Sequence, residues 1–176
     1  MREHVTDAII LGDIPTKEHD RVFDCYTEHL GRITVRAISG MKSKSKLAPH
    51  CASMKLVKLR IIEKNVFTLA DAIIQKTFIN ESDSFEMQNQ AVYFLFAIKH
   101  LVPKEATDAK LWDFIVGSFQ KKNFSIKQLL AISGYDPALS LCVSCGIEAP
   151  ECFSVESYEF FCANCSAMHA DEVLLW

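Results

Sequence analysis

With 176 residues, 49% hydrophobic and 23% charged, the chain has room for one ordinary domain or for two or three small modules. That balance excludes disorder over the whole length, and with it collagen-like, coiled-coil and low-complexity classes. A formal net charge of −3, read as an average, also speaks against a nucleic-acid binder, whose usual signature is a basic balance.

Residues 5–74 read as five short strands. Val5–Leu11 is apolar enough for a buried strand, and Gly12-Asp13-Ile14-Pro15 punctuates it. Arg21–Thr27 and Arg32–Ile38 alternate in polarity, and Glu28-His29-Leu30-Gly31 between them has the length and glycine of a hairpin turn. After a loop from Gly40 to Cys51, Met54–Ile62 alternates again, and Glu63-Lys64-Asn65 turns the chain into Val66–Ile73. Five strands in this length suit a small barrel better than a sandwich.

The period then changes from two to 3.6. Asp83 or Ser84 caps a helix running to Leu101, with a stripe of Phe85, Gln88, Val92, Leu95, Phe96 and Lys99, and Pro103 stops it. Ala106-Thr107-Asp108 opens a second helix to about Lys121 through Leu111, Phe114, Ile115 and Phe119. Ser125 caps a third, with Ile126, Leu129, Leu130 and Ile132, that ends at Gly134. These apolar residues read as core, not as a cofactor box, and no fixed-period repeat indicates a solenoid.

Split along the chain, the average charge resolves into two signs. Residues 1–79 hold 13 Lys and Arg against 9 Asp and Glu, and residues 80–176 hold 6 against 13. Within 32–64, nine bases (Arg32, Arg36, Lys42, Lys44, Lys46, Lys55, Lys58, Arg60 and Lys64) face only Glu63. A solvated strand face would explain such a run, and so would a polyanion-binding surface.

Cys142-Val143-Ser144-Cys145 and Cys162-Ala163-Asn164-Cys165, with sixteen residues between the pairs, have the spacing of a paired-knuckle zinc site. Two residues between thiols allow a tight turn to aim both sulfurs at one point, so four thiolates can meet at a tetrahedral Zn²⁺. Phe153–Val155 and Tyr158–Phe161 can form the hairpin that returns the second pair to the first. Four protein ligands leave no open position, which makes the expected role structural. A redox pair, an iron–sulfur cluster and metal-free thiols are the competing readings. The redox reading lacks the βαβ setting such motifs use. Cys152 and His169 read as bystanders, Cys25 and Cys51 as incidental. Cys51 beside His50, or Asp20 with Asp24, is a weak basis for catalysis, and no phosphate loop, dinucleotide fingerprint, nucleophile elbow or HExxH helix is present.

No signal peptide is visible at the start, and the apolar run Ala91–Ile98 is far short of the roughly 20 residues of a membrane-spanning helix. The chain reads as cytoplasmic, where thiols and metal ligands are the ordinary uses of cysteine.

Taken in order, these features resemble the RecO family of bacterial recombination mediators. The resemblance is carried by Ala8-Ile9-Ile10-Leu11 with Glu18-His19-Asp20-Arg21, then His29-Leu30-Gly31-Arg32 and Ile38–Leu47. It continues through Phe67-Thr68-Leu69-Ala70-Asp71-Ala72 to Leu141-Cys142-Val143-Ser144-Cys145-Gly146. It implies an α+β, multi-module protein: a five-stranded OB-fold barrel over 1–79, then a reduced helical domain over 80–176 with a structural zinc knuckle at about 140–169. It further implies a non-enzymatic protein that binds single- and double-stranded DNA and anneals complementary strands. RecR, single-stranded-DNA-binding protein and, indirectly, RecA are the implied partners, with nucleoid association and neither membrane nor small-molecule substrate.

The expected DNA contacts are Arg32, Arg36, Lys42, Lys44, Lys46, Lys55, Lys58 and Arg60. Small Gly and Ser residues in the 40–46 loop would let a phosphate backbone approach; Tyr26, His29 and Phe67 are candidate stacking groups, of which Phe67 reads rather as core. The expected metal ligands are Cys142, Cys145, Cys162 and Cys165. Family members continue beyond the knuckle, whereas eleven residues follow Cys165 here, so the chain reads as a short variant. An RNA-binding or translation-associated OB-fold zinc protein, or a small thiol- or metal-dependent enzyme, is the alternative.

Overall fold

In the computed structural model the described residues are 1–16, 20–38, 53–167 and 173–176. They divide into two compact units, Met1–Asn123 and Phe124–Trp176. The first run of strands ends at Thr77 and the first helix begins at Phe85, whereas the division by compactness falls after the second helix.

The first unit is built on five strands: β1 (Arg2–Ile14), β2 (Arg21–Thr27), β3 (Gly31–Ala37), β4 (Lys55–Glu63) and β5 (Phe67–Thr77). They close into a barrel in the order β1-β2-β3-β5-β4. All pairings are antiparallel except the short parallel contact of β3 with β5, and this Greek-key closure is the OB-fold. Alternation sets the inside: Ile33, Val35 and Ala37 of β3 and Val57, Leu59 and Ile61 of β4 fill the barrel with Ile10, Phe23, Cys25 and Leu69. Arg32, Thr34, Arg36, Lys58 and Arg60 occupy the alternate, outward positions of the same strands.

β1 extends past its expected end at Leu11. The register shifts between Ile10 and Gly12, and pairing then resumes at Gly12↔Asp24 and runs to Ile14↔Val22. Gly12, at φ +148, turns what reads as a strand terminator into a bulge that bends the strand around the barrel.

Two helices follow, α1 (Phe85–Leu101) and α2 (Ala109–Lys121). Ser84 caps α1 through the Met87 N–H, and Asp108 caps α2 through those of Lys110 and Leu111. The buried face of α1 is Ala91, Phe94, Leu95, Ile98 and Leu101. Phe85 and Val92, placed on the core stripe by periodicity, are 79% and 52% exposed. Because residues 91–98 are apolar on every side, spacing alone leaves the phase of the helix open.

Asp83 ties the helical segment together by accepting from the Asn80 N–H and pairing with Lys122. The Asn80 bond first, and Lys122 after it, hold the Asp83 carboxyl below its ordinary pKa. A depressed carboxylate contributes stability that is fully present above the unfolded value, about pH 4, and lost as pH falls through the folded value. Thermal unfolding between pH 2 and 6 should therefore show Asp83→Asn less stable than wild type near pH 6, with the difference vanishing at the acid end. A constant difference across that range would contradict this assignment.

The second unit contains α3 (Ile126–Ile132), a 3₁₀ turn (Pro137–Leu139), strands β6 (Cys152–Ser154) and β7 (Phe160–Phe161), a four-residue helix α4 (Ala163–Ser166), and β8 (Val173–Leu175). Ser125 caps α3 through the Gln128 N–H. Its end is closed by Gly134 at φ +94 and the Tyr135 N–H donating to Leu130 O. The strand order is β7-β6-β8. The core of this unit is aromatic, with Phe153 packed against Tyr135 at 5.0 Å and Phe160 at 4.9 Å between ring centres. Among the described residues no helix is long and apolar enough to cross a membrane.

Candidate metal centre and nucleic-acid interface

The four cysteines expected to ligate a metal converge. The sulfurs of Cys142, Cys145, Cys162 and Cys165 all lie within 4.8 Å of one another. The first pair sits on a turn closed by the Gly146 N–H donating to Cys142 O (2.8 Å) and the Cys142 N–H donating to Ile147 O (2.9 Å). Gly146 supplies the left-handed conformation, φ +72, that this turn needs. The second pair sits at the start of α4, where the Ser166 N–H donates to Cys162 O. Two links join the pairs: the β6–β7 register Cys152↔Phe161, and the Val143 N–H donating to Phe160 O at 2.9 Å.

The geometry fits a tetrahedral thiolate site. Zn–S bonds of about 2.3 Å place sulfurs roughly 3.8 Å apart along a tetrahedral edge. Cys145 Sγ and Cys162 Sγ are 3.8 Å apart, far beyond disulfide length, and all four cysteines are free thiols. The backbone N–H of Cys162 first, and those of Cys145 and Ser144 with it, bring the Cys142 thiol down to about 6. The neighbouring Cys162 and Cys145 thiols, with burial, push Cys165 up to about 12. Four sulfurs this close repel as thiolates, and a soft divalent cation at their centre relieves that repulsion.

Cys152 is buried and packs against Cys142, Phe161 and Cys165, but its sulfur is outside the converging set. His169, Cys51 and His50 lie outside the described residues. Cys25 is a barrel-core side chain.

The expected DNA-contacting residues fall on two faces. On β3, Arg36 lies opposite Val22 of β2 and Thr68 of β5, with its Nε donating to Asp20 Oδ2 at 2.6 Å. Arg32 lies on the same side of β3, two pleats earlier. On β4, between β1 and β5, Lys58 faces Asp7 at 3.4 Å and Arg60 faces Glu3 at 3.4 Å. The Arg60–Glu3 pair is exposed and weak, and both cations keep about half of their side chains exposed, which leaves them available to a polyanion. Lys55 opens β4 and is half-buried. Lys42, Lys44 and Lys46 lie outside the described residues.

Of the candidate stacking groups, Tyr26 is excluded. It is fully buried, packs on Trp112 at 6.0 Å and donates to Asp108 O. Burial raises its hydroxyl pKa to about 12. His29 is exposed and Phe67 partly so. Asp20 and Asp24 accept from Arg36 and Thr34 across the β2–β3 hairpin, which makes them cross-strand partners. Sequence spacing had no means of finding Lys104, which lies beyond α1 and is carried back to Arg32 of β3 by a parallel bridge.

A closed OB barrel followed by helices and a four-thiol knuckle defines a class of modular protein that joins a small β-barrel to a cysteine cluster able to hold a metal ion. Residues 1–78 match the family described as "Recombination protein O N terminal". The chain is 28% identical over 175 residues to the DNA repair protein RecO of Dehalococcoides mccartyi strain CBDB1, covering 91% of this chain and 69% of the relative. It is 26% identical to that of Clostridium novyi strain NT, over 91% and 68% of the two chains. With that of Geobacter metallireducens it shares 22%, over 91% and 71%. Over its N-terminal 78 residues the chain thus resembles the RecO N-terminal domain, and over most of its length it is similar to DNA repair proteins RecO.

Proposed function

We propose that this protein is a non-enzymatic recombination mediator in DNA repair. It binds single- and double-stranded DNA and anneals complementary strands. Together with RecR it helps load RecA onto single strands coated with single-stranded-DNA-binding protein, in the bacterial cytoplasm at the nucleoid. The observation that carries this reading is the closed OB barrel of residues 1–78, matched to the RecO N-terminal domain and bearing outward cations on β3 and β4.

The DNA surface of the OB domain, residues 1–79, comprises Arg32, Arg36, Lys42, Lys44, Lys46, Lys55, Lys58 and Arg60. Contacts of this kind neutralise phosphates and read no base, which is the tolerance that annealing requires. The more acidic remainder, residues 80–176, serves protein docking without competing for DNA. Cys142, Cys145, Cys162 and Cys165 hold a structural Zn²⁺, since four soft donors in a closed set favour zinc and leave no place for substrate.

A salt titration of oligonucleotide binding tests the DNA reading. Changing Lys42, Lys44 and Lys46 together to Glu should lower the slope of log affinity against log salt by about 2 on single strands. An unchanged slope at unchanged affinity would remove that loop from the interface.

A further inference from the structure

β3 has a β5 neighbour only at Val35↔Phe67 and Arg36↔Thr68. N-terminal to Val35 the strand therefore parts from the β4–β5 turn, and a groove of about 430 Å³ opens between them. Arg32, Ile33 and Thr34 form one wall, residues 64–67 the other, and Lys104 with Glu105 closes one end. That end is anchored by the Arg32↔Lys104 bridge and by the Glu105 N–H donating to Arg32 O at 2.9 Å.

The charges lining the groove are unevenly satisfied. Glu63 is engaged by His4 at 2.7 Å and Arg36 by Asp20 at 2.6 Å. Arg32, Lys64 and Lys104 remain, opposed by Glu105, and none of the three has an ion pair among the described residues. The Nε–H of Arg32 is inaccessible to solvent and has no acceptor among the described residues, while the side chain as a whole is partly exposed and lines the groove. Beside these cations the wall is apolar, through Val66, 56% exposed, and the partly exposed Phe67.

We infer that this groove seats one nucleotide unit of single-stranded DNA, its phosphate held by Arg32, Lys64 and Lys104 and its base against Val66 and Phe67. This rests on the DNA-binding reading above and gives the strand a path over the β4–β5 turn. The volume falls in the lower range of small-ligand sites, on the scale of one nucleotide. A flexible single strand can turn a base onto an apolar wall, whereas a base in a duplex has both faces stacked.

The test uses the full chain and a fluorescent oligothymidylate. Lys64→Glu/Lys104→Glu should bind at least about tenfold more weakly at low salt, and its salt slope should fall by about 0.7, the release expected from one phosphate on a single strand. Lys110→Glu/Lys121→Glu, on exposed positions of α2, should change neither, and thermal unfolding checks that both variants are folded. An oligonucleotide carrying 5-iodouracil should photo-crosslink within residues 64–67.

If the groove variant keeps wild-type affinity and slope while reversal of Lys42, Lys44 and Lys46 weakens binding, the groove assignment is wrong and the DNA-binding reading stands. If the wild-type chain binds no oligonucleotide, both fail. Displacement of the strand by thymidine monophosphate at equal nucleotide concentration would identify a free-nucleotide site and overturn the strand assignment.

Discussion

Cys142→Ser is expected to strip the metal from the protein and unfold residues 124–176 while the barrel remains folded. This unit has 53 residues, its three strands are two or three residues long, and its core depends on a few aromatic rings. Units this small rarely hold together by burial alone. A structural Zn²⁺ contributes apparent binding free energy of about 10–16 kcal/mol in small zinc modules, which is folding free energy. A serine hydroxyl is a poor substitute for the thiolate, which backbone N–H groups favour at Cys142. Metal analysis and limited proteolysis should show loss of about one equivalent of zinc together with new cleavage within 124–167. Cys152→Ser, altering a buried sulfur outside the converging set, should keep its metal and cost only about 1–3 kcal/mol. Full metal content in Cys142→Ser would refute the ligand set.

The second large effect is expected at Gly31, the first residue of β3 after its turn from β2. Its φ is +67, and a Cβ there would lie 2.3 Å from the carbonyl oxygen of Ala106 and 2.6 Å from its carbon. Both contacts are with backbone, so no side chain can swing away. Left-handed strain of about 1–2 kcal/mol adds to an overpacking cost of about 1–3 kcal/mol. Gly31→Ala should therefore destabilise the first unit by about 3 kcal/mol, lowering Tm by roughly 10 °C. Gly117, inside α2, has nothing within 4 Å of a built Cβ, and Gly117→Ala should raise stability by about 0.5–1 kcal/mol. Equal effects at the two glycines would show that the turn at Gly31 can relax.

These two sites also mark what was legible in the sequence. The alternation in Arg21–Thr27, Arg32–Ile38 and Met54–Ile62 identifies the strands because one face of each is buried. Ser84, Asp108 and Ser125 announce helix starts because their side chains satisfy free N–H groups. The cysteine spacing identifies the four converging thiols because the geometry of each pair is local. What was not legible depends on long-range partners. The continuation of β1 through Gly12 depends on pairing with β2, and the face α1 buries depends on what it packs against. β8 exists only by pairing with β6, Cys152↔Leu175 and Ser154↔Val173. Tyr26 looks like a surface stacking group until Trp112 of α2 covers it. The basic run is continuous in sequence, yet β5 separates Arg32 and Arg36 from Lys58 and Arg60 in the barrel.

The central claim is that the protein is a DNA-annealing mediator, and strand annealing tests it most directly. Complementary oligonucleotides, one strand labelled, either naked or coated with single-stranded-DNA-binding protein, are mixed with wild-type protein and with the variant in which Lys42, Lys44 and Lys46 are changed to Glu. The account predicts that wild type accelerates duplex formation on naked and on coated strands at moderate salt, and that the variant loses most of this acceleration. No acceleration by the wild-type protein on either substrate would contradict it.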